Sequence, residues 1–213
     1  MEKPILATNI DGFLINHSAF IEPHRIWFDR VILLTKDNSF NKWKTSKNYF
    51  EGVNLAMEKL MPDATKEERT QKARGWYQED VIHYIKLHPE VVNRQLAESL
   101  KKLKEKFTLA LITTNTKDYI EKILKTANLE GIYKIIHASE TSEEPSKSKI
   151  FQEFRKKYGE PKYYMTSRSK EAFEECTKLE ILSIYFSQKE IDSEIKKLAS
   201  RTITNIEGLR ILD

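Results

Sequence analysis

Residues 5–14 read ILATNIDGFL, an apolar run that meets a short polar turn. The turn carries the amide of Asn9 and the carboxylate of Asp11, followed by Gly12. Two carboxylates at this spacing could supply a nucleophile and a proton donor, and could hold a hard cation. An amide in the first place is neutral and a poor nucleophile. The turn therefore predicts a reactive site that lacks one of its main parts.

Other polar side chains also follow apolar runs. Thr114 and Asn115 end the run FTLALITTN, and the segment 166–171 follows the run KYYM. Two lysines, Lys147 and Lys149, lie at the start of a further helical pattern. Because ligands of open parallel sheets bind outside the carboxyl ends of the strands, we expect these groups to lie near the first turn.

Strand and helix patterns alternate from residue 107 onward. Strands are predicted at 4–9, 107–115, 132–139, 161–167 and 180–187, with a short strand before the closing helical turn. Helical patterns separate them, ending near glycines in two cases. This alternation predicts an α/β fold: a Rossmann-like parallel sheet with helices on both faces.

The segment between the first two strands has a different character. Thr65 and Glu68 have the spacing of a capping box, which predicts a long helix to about residue 87, although Gly75 weakens it. Pro89 is predicted to open the following helix. Trp27, Trp43, Trp76 and Tyr77 all fall in this segment, and such residues more often form a core than a base-stacking platform. We predict an α/β core of residues 1–15 and 89–213, interrupted by an all-helical insertion of residues 16–88.

Composition narrows the class of protein. The 213 residues include 36 basic and 32 acidic ones, a net charge of +4, and 39% are apolar. No apolar run is long enough to span a membrane, and no signal-peptide pattern opens the chain. A single cysteine, Cys176, excludes an intrachain disulfide and favours a reducing cytoplasm; its mid-helix place favours packing over nucleophilic chemistry. The lysine-rich run at 101–106 is typical of a solvated helix face, so nucleic-acid binding is not favoured.

The order of these motifs resembles the haloacid dehalogenase (HAD) superfamily, whose members are mostly phosphatases. NIDGF at 9–13 is similar to the first motif, a strand followed by Asp-x-Asp-Gly. The helical insertion resembles the C1-type cap of the family, and Thr114 with Asn115 resembles its second motif. The third-motif lysine is identified with Lys147, or with its neighbour Lys149. The resemblance covers nearly the whole chain, and it implies an HAD-like core with a cap over the active site.

The resemblance also identifies the catalytic and metal-binding residues of the family motifs that this sequence lacks. The family nucleophile and metal ligand corresponds to Asn9, whereas Asp11 keeps the position of the proton-shuttling aspartate. The fourth motif normally has two metal-binding aspartates; here Ser167 stands for the first and Glu171 for the second, a weak metal ligand. Arg168, between them, brings positive charge toward the place of a dication. These changes imply that magnesium-dependent phosphoryl transfer is lost and that no cofactor is needed, with Mg²⁺ relevant only to residual activity.

Each position also has a simpler interpretation. Asp-Gly is common turn chemistry, and Thr114 with Asn115 could cap the next helix. The two lysines and Arg168, with Lys170, could be ordinary surface charge, and Glu171 could be a first-turn helix acid.

Three functions remain open at this point. The first is a degenerate HAD-like protein that binds a phosphorylated ligand near Gly12, Thr114, Asn115, Lys147 and Arg168, or a protein partner through its cap. The second is an atypical phosphatase or hydrolase of a small phosphorylated metabolite. The third, a nucleic-acid or acidic-partner binder, ranks last. Whether the chain is an enzyme is left open.

Overall fold

The computed structural model describes residues 3–46, 48–139, 146–188, 191–205 and 207–212, and contains one six-stranded parallel sheet. Its strands are β1 (Ile5–Thr8), β2 (Thr108–Thr116), β3 (Ile135–Ser139), β4 (Tyr163–Thr166), β5 (Leu182–Phe186) and β6 (Arg201–Ile203). Their order across the sheet is β3-β2-β1-β4-β5-β6. The predicted parallel sheet is confirmed. Its strand order reverses between β1 and β4, where sheets of this kind form a crevice.

The helices, in chain order, are α1 (Ser18–Thr35), α2 (Tyr49–Leu60), α3 (Lys66–Leu87), α4 (Arg94–Leu103), α5 (Lys117–Thr126), α6 (Lys147–Tyr158), α7 (Lys170–Lys178) and α8 (Ser193–Leu198). Three 3₁₀ segments span Asn38–Thr45, Pro89–Val91 and Glu207–Leu212. The connections through α5 and α7 run in opposite directions along the sheet. Because such crossovers are right-handed, these two helices lie on opposite faces.

The chain divides into two compact units, Met1–Asn16 with Val92–Asp213, and His17–Val91. The first unit holds the sheet, and its buried residues include Tyr164 and Phe151. Cys176 belongs to the same cluster, where burial raises the pKa of its thiol to about 12. A thiol in that state is protonated and inert, in agreement with the packing role predicted from its sequence position.

The second unit is helical and has a core of its own. Trp27 and Phe28 are buried in it, and Trp43, Trp76 and Tyr77 pack against it. The aromatic residues therefore form a core, as their composition suggested. That this unit acts as a C1-type cap stays a prediction.

Two local predictions in the helical segment have different outcomes. The capping box is present, since the Thr65 hydroxyl accepts the Glu68 N–H at 3.2 Å and the Glu68 carboxylate accepts the Thr65 N–H at 2.7 Å. Helix α3 then runs through Gly75 without a break. The expectation that Pro89 opens a helix is wrong: it opens a 3₁₀ turn, and α4 begins later behind Asn93, whose side chain accepts the Leu96 N–H at 3.0 Å.

Within the described part of the chain, no helix is long and apolar enough to cross a membrane.

Candidate functional site

The turn after β1 is closed by its own backbone. Gly12 donates its N–H to the Ile15 carbonyl at 2.7 Å, and Ile15 donates to the Ile10 carbonyl at 3.1 Å. Gly12 has φ +69°, a conformation that a residue with a Cβ rarely adopts. Ile10 and Phe13 point their side chains into the core, while Asn9 and Asp11 remain half-buried. Burial of the apolar residues thus holds the polar ones at the edge of the sheet.

The amide of Asn9 is used inside this turn. Its Nδ2 donates to the backbone carbonyl of Asp11 at 2.8 Å. Its Oδ1 is buried and accepts no hydrogen bond within the described part of the chain. The NH₂ group donates to the carbonyl at this distance, whereas an ionised carboxylate oxygen in the same place would repel the carbonyl oxygen. The turn therefore fits an amide better than a carboxylate at position 9.

The end of strand β1 is held by a hydrogen-bonded pair, Thr8 and Tyr133, which was not predicted from the sequence. Thr8 is fully buried, and its hydroxyl lies 2.7 Å from the Tyr133 hydroxyl and 3.1 Å from the Asn9 carbonyl. Since Thr8 Oγ1 donates to Asn9, the tyrosine donates to Thr8. Burial raises the pKa of Tyr133 well above its ordinary value, so it stays a neutral donor. Nothing in the sequence pattern marks this pair, because its members are far apart in the chain.

The end of β2 lies beside the turn. Thr8 pairs with Leu111 in the parallel register, so Asn9 leaves the sheet at about the level of the residue after Leu111. Thr114, a few residues on, is 7% exposed, whereas Asn115 is exposed. The alternative that either residue caps the next helix is wrong, since Thr116 is the N-cap of α5 and Asn115 N–H turns back to the Thr113 hydroxyl.

The two candidate lysines differ in environment. Lys147 is the first residue of α6 and is half-buried, and it lies behind Ser146, whose hydroxyl accepts the Lys149 N–H at 3.2 Å. Lys149 is exposed, and its ammonium lies 4.0 Å from the Glu153 carboxylate. Residues 140–145 of the preceding loop, which the sequence also marked for inspection, lie outside the described residues. The burial of Lys147 favours it over Lys149 as the lysine of this edge, although the role itself stays a prediction.

The segment after β4 brings a cation to the turn. Thr8 pairs with Met165, so Thr166 lies near the level of Asn9. Arg168 lies across the turn, because a Cβ built on Gly12 would be 2.4 Å from the Arg168 Cδ and 3.0 Å from its Cγ. Sequence reasoning placed positive charge in this region; it did not foresee the direct approach of Arg168 to Gly12.

The acidic residues of α7 do not gather into a metal site. Glu171 is exposed in the first turn, with Oε2 3.5 Å from the hydroxyl of Ser169. Glu175 is buried and pairs with Lys178 at 2.6 Å, which raises the lysine pKa. Among the residues that the structure describes, no group of three His, Cys, Asp or Glu side chains could hold a metal ion.

The residues at this edge therefore do not fit a magnesium ion. At the three positions that the motifs assign to the metal site and its neighbour, Asp11 offers a carboxylate, the Asn9 amide directs its NH₂ to the Asp11 carbonyl, and Ser167 offers a neutral hydroxyl, a less charged set of oxygens than a hard cation prefers. Arg168 adds a positive charge beside the turn. Two groups at this edge, the Arg168 guanidinium and the Ser167 hydroxyl, are hydrogen-bond donors that an anion could use.

Solved structures share the architecture along the whole chain. A haloacid dehalogenase-like hydrolase from Streptococcus pneumoniae is 14% identical, with a TM-score of 0.68 over 99% of each chain. A β-phosphoglucomutase from Clostridium difficile is 13% identical, with a TM-score of 0.64 over 98% of this chain and 93% of that one. A structure described as a HAD-hydrolase from Bacillus subtilis, bound to magnesium, is 12% identical, with a TM-score of 0.63 over 100% and 99% of the two chains.

Sequence comparison gives a shorter match. A phosphoglycolate phosphatase from Aquifex aeolicus is 32% identical over 91 residues, which span 42% of this chain and 40% of that protein. No family model matches the chain. The fold of the chain is that of the haloacid dehalogenase superfamily, as the motifs predicted. At these identities the structural likeness establishes the fold and leaves the chemistry to be argued from the residues.

Proposed function

We propose that this chain binds a small phosphorylated ligand at the carboxyl edge of its sheet and has lost magnesium-dependent phosphatase chemistry. The observation that carries the proposal is the amide of Asn9, which stands where the HAD motif has its nucleophile. An amide oxygen carries no charge and attacks phosphorus poorly. In this turn the amide also donates to the Asp11 carbonyl at 2.8 Å, so its position serves the fold of the turn.

The groups around the turn support an anionic ligand. Thr114 offers a hydroxyl, Lys147 an ammonium and Arg168 a guanidinium, all near the ends of neighbouring strands or at the start of the helix that follows β3. Asn115 and the backbone of Gly12 complete the proposed set. Phosphate oxygens are acceptors only, so a site made mainly of donors matches them.

We further propose that the helical unit binds a protein partner. Leu33 is 76% exposed and Phe50 is 59% exposed on that unit. Large apolar side chains in contact with water favour association. A pseudoenzyme that reports the presence of its ligand to a partner would use both features, and the reducing cytoplasm suggested by the single cysteine is part of the same proposal.

A second candidate function is an atypical phosphatase or hydrolase of a small phosphorylated metabolite. The specific observation in its favour is the 32% identity to a phosphoglycolate phosphatase over 91 residues. Asp11 would then keep a proton-transfer role, and the nucleophile would be a group other than Asn9. This second candidate function requires that replacing Asp11 by Asn abolishes the phosphatase or hydrolase activity.

The deciding experiment is hydrolysis of an aryl phosphate and of phosphoglycolate with Mg²⁺. The natural protein is compared with Asn9→Asp and with Asn9→Asp/Ser167→Asp. We expect no turnover from the natural protein and none, or little, from the single variant, because Asp at 9 faces the Asp11 carbonyl without a metal to bridge them. Turnover that appears in the double variant would support a cleft that has lost its chemistry. Turnover by the natural protein that disappears in Asp11→Asn would overturn the proposal in favour of the second candidate.

A further inference from the structure

We infer that Arg168 supplies, in place of a metal ion, the positive charge that holds a phosphate group at this site, so that ligand binding is independent of Mg²⁺. This inference rests on the proposed function and names the residue that decides the ligand class. It follows from the position of one side chain, from its lack of a competing partner and from the charge of the groups around it.

The backbone of Arg168 is held in place by its neighbour. The hydroxyl of Thr166 donates to the Arg168 carbonyl at 2.7 Å and accepts the Arg168 N–H at 3.3 Å. The next residue, Ser169, has φ +84°, which is uncommon for a residue with a side chain. The chain therefore turns sharply after β4, and the arginine leaves it from a fixed point.

The stem of Arg168 rests on the turn after β1. The methylene carbons Cγ and Cδ fill the space that a side chain at Gly12 would take, with the nearest approach at 2.4 Å from an ideal Cβ. Glycine at position 12 thus allows both the backbone conformation of the turn and the passage of the arginine over it. The turn after β1 and the turn after β4 are distant in sequence, and they contact each other here through Gly12 and Arg168.

The guanidinium of Arg168 has no competing anion. Across the described parts of the chain, no carboxylate forms an ion pair with it, whereas Arg155 pairs with Glu160 at 2.6 Å and Arg30 pairs with Asp80. Its planar set of N–H donors is suited to two oxygens of one phosphate group. The packed stem fixes where the side chain leaves the turn, and the exposed, unpaired head is available to such a ligand.

The charges of the groups at this site are consistent with an arginine in place of a divalent metal ion. Two carboxylates and one divalent cation would together contribute no net charge to a phosphate site. With Asp11 and Lys147 common to both arrangements, the amide of Asn9, the hydroxyl of Ser167 and the guanidinium of Arg168 together contribute one positive charge more. An anion is therefore attracted without a metal, and a dication beside the guanidinium would be repelled.

The test is isothermal titration of the full-length protein with inorganic phosphate, in EDTA and again in excess Mg²⁺. We compare the natural protein with Arg168→Ala, Arg168→Lys and the control Arg155→Ala, which removes an arginine from the last turn of α6, at the end of that helix away from Lys147. The expected dissociation constant of the natural protein is the same in both buffers. Loss of charged hydrogen bonds in Arg168→Ala should weaken binding by about 10-fold or more. Arg168→Lys should lie between the two, because lysine keeps the charge without the planar donors.

Three outcomes would overturn the inference, and they differ in what they say of the proposed function. Phosphate binding that needs Mg²⁺, or that survives Arg168→Ala unchanged, would refute the role of Arg168 and leave a phosphate-binding protein. An equal loss in Arg155→Ala would show that general surface charge attracts the anion, which would refute both the role of Arg168 and the proposed site at the carboxyl edge. No phosphate binding by the natural protein in either buffer would refute the proposed function itself. As a control, thermal unfolding of each variant distinguishes a loss of phosphate binding from a loss of folding.

Discussion

Gly12 provides a quantitative test of the contact between the two motifs. At φ +69°, an alanine would sit in the left-handed region, which costs about 1–2 kcal/mol. Its Cβ would also lie 2.4 Å from the Arg168 Cδ, and moving the arginine off its rotamer costs about 0.5–1.5 kcal/mol more. We therefore expect Gly12→Ala to lower the free energy of unfolding by about 1.5–3.5 kcal/mol, the sum of these two costs.

Gly131 is the matched control for this substitution. It has φ +72°, and a Cβ built on it meets no atom within 4 Å. Gly131→Ala should therefore carry the backbone cost without the steric one. Urea denaturation followed by circular dichroism measures both variants, alone and in an Arg168→Ala background. Removal of Arg168 should bring the cost of Gly12→Ala down to that of Gly131→Ala. If the cost of Gly12→Ala is the same with and without Arg168, the arginine does not lie over the turn and the proposed anion site loses its geometric basis.

Two further predictions concern buried polar groups. Burial lowers the pKa of His24, so the unfolded chain binds more protons below the ordinary histidine pKa of about 6.5. The free energy of unfolding should fall as the pH drops through that range, and His24→Phe should reduce the fall; an unchanged pH profile in the variant would contradict this. The Tyr164 hydroxyl is buried without a hydrogen-bond partner in the described part of the chain, whereas the Tyr133 hydroxyl bonds to Thr8 at 2.7 Å. Chemical denaturation should show Tyr164→Phe to be neutral or stabilising and Tyr133→Phe to be destabilising by about 1 kcal/mol, and equal losses would refute the assignment.

The sheet could be predicted from the sequence because parallel strands buried on both faces are nearly continuous apolar runs. Residues 107–115 are such a run, and β2 occupies Thr108–Thr116. Helix α1 has no such clear signal in the sequence, since Pro23 lies inside it and removes one helical hydrogen bond. The error at Pro89 has a related cause: proline suits the first turn of a 3₁₀ segment as well as that of an α-helix, and the pattern of apolar residues does not distinguish them.

The candidate site could be predicted only in part. The residues that follow the strands could be selected from the sequence because the topology of a parallel sheet brings strand ends together, and their role in one site stays a prediction. The contact of Arg168 with Gly12 depends on the conformation of two separate turns, and neither turn is determined by its local sequence alone. The same holds for the hydroxyl pair of Thr8 and Tyr133, which is set by tertiary packing. The periodicity of apolar residues identifies the strands and helices that carry the site. The distances between its side chains can be known only from the folded structure.

The substitutions at this edge depend on one another. A carboxylate at position 9 would place an oxygen 2.8 Å from the Asp11 carbonyl oxygen, where the Asn9 amide now donates a hydrogen bond. Such a pair is stable only when a cation or a proton lies between the two oxygens. Ser167 offers a hydroxyl where a second carboxylate would help to hold that cation, and Arg168 lies beside the turn. Restoring one carboxylate would therefore create a repulsion before it restored a metal site. Under the proposed loss of magnesium-dependent chemistry, turnover should therefore appear only when both acids are present together, and Arg168 would still oppose the metal in such a variant.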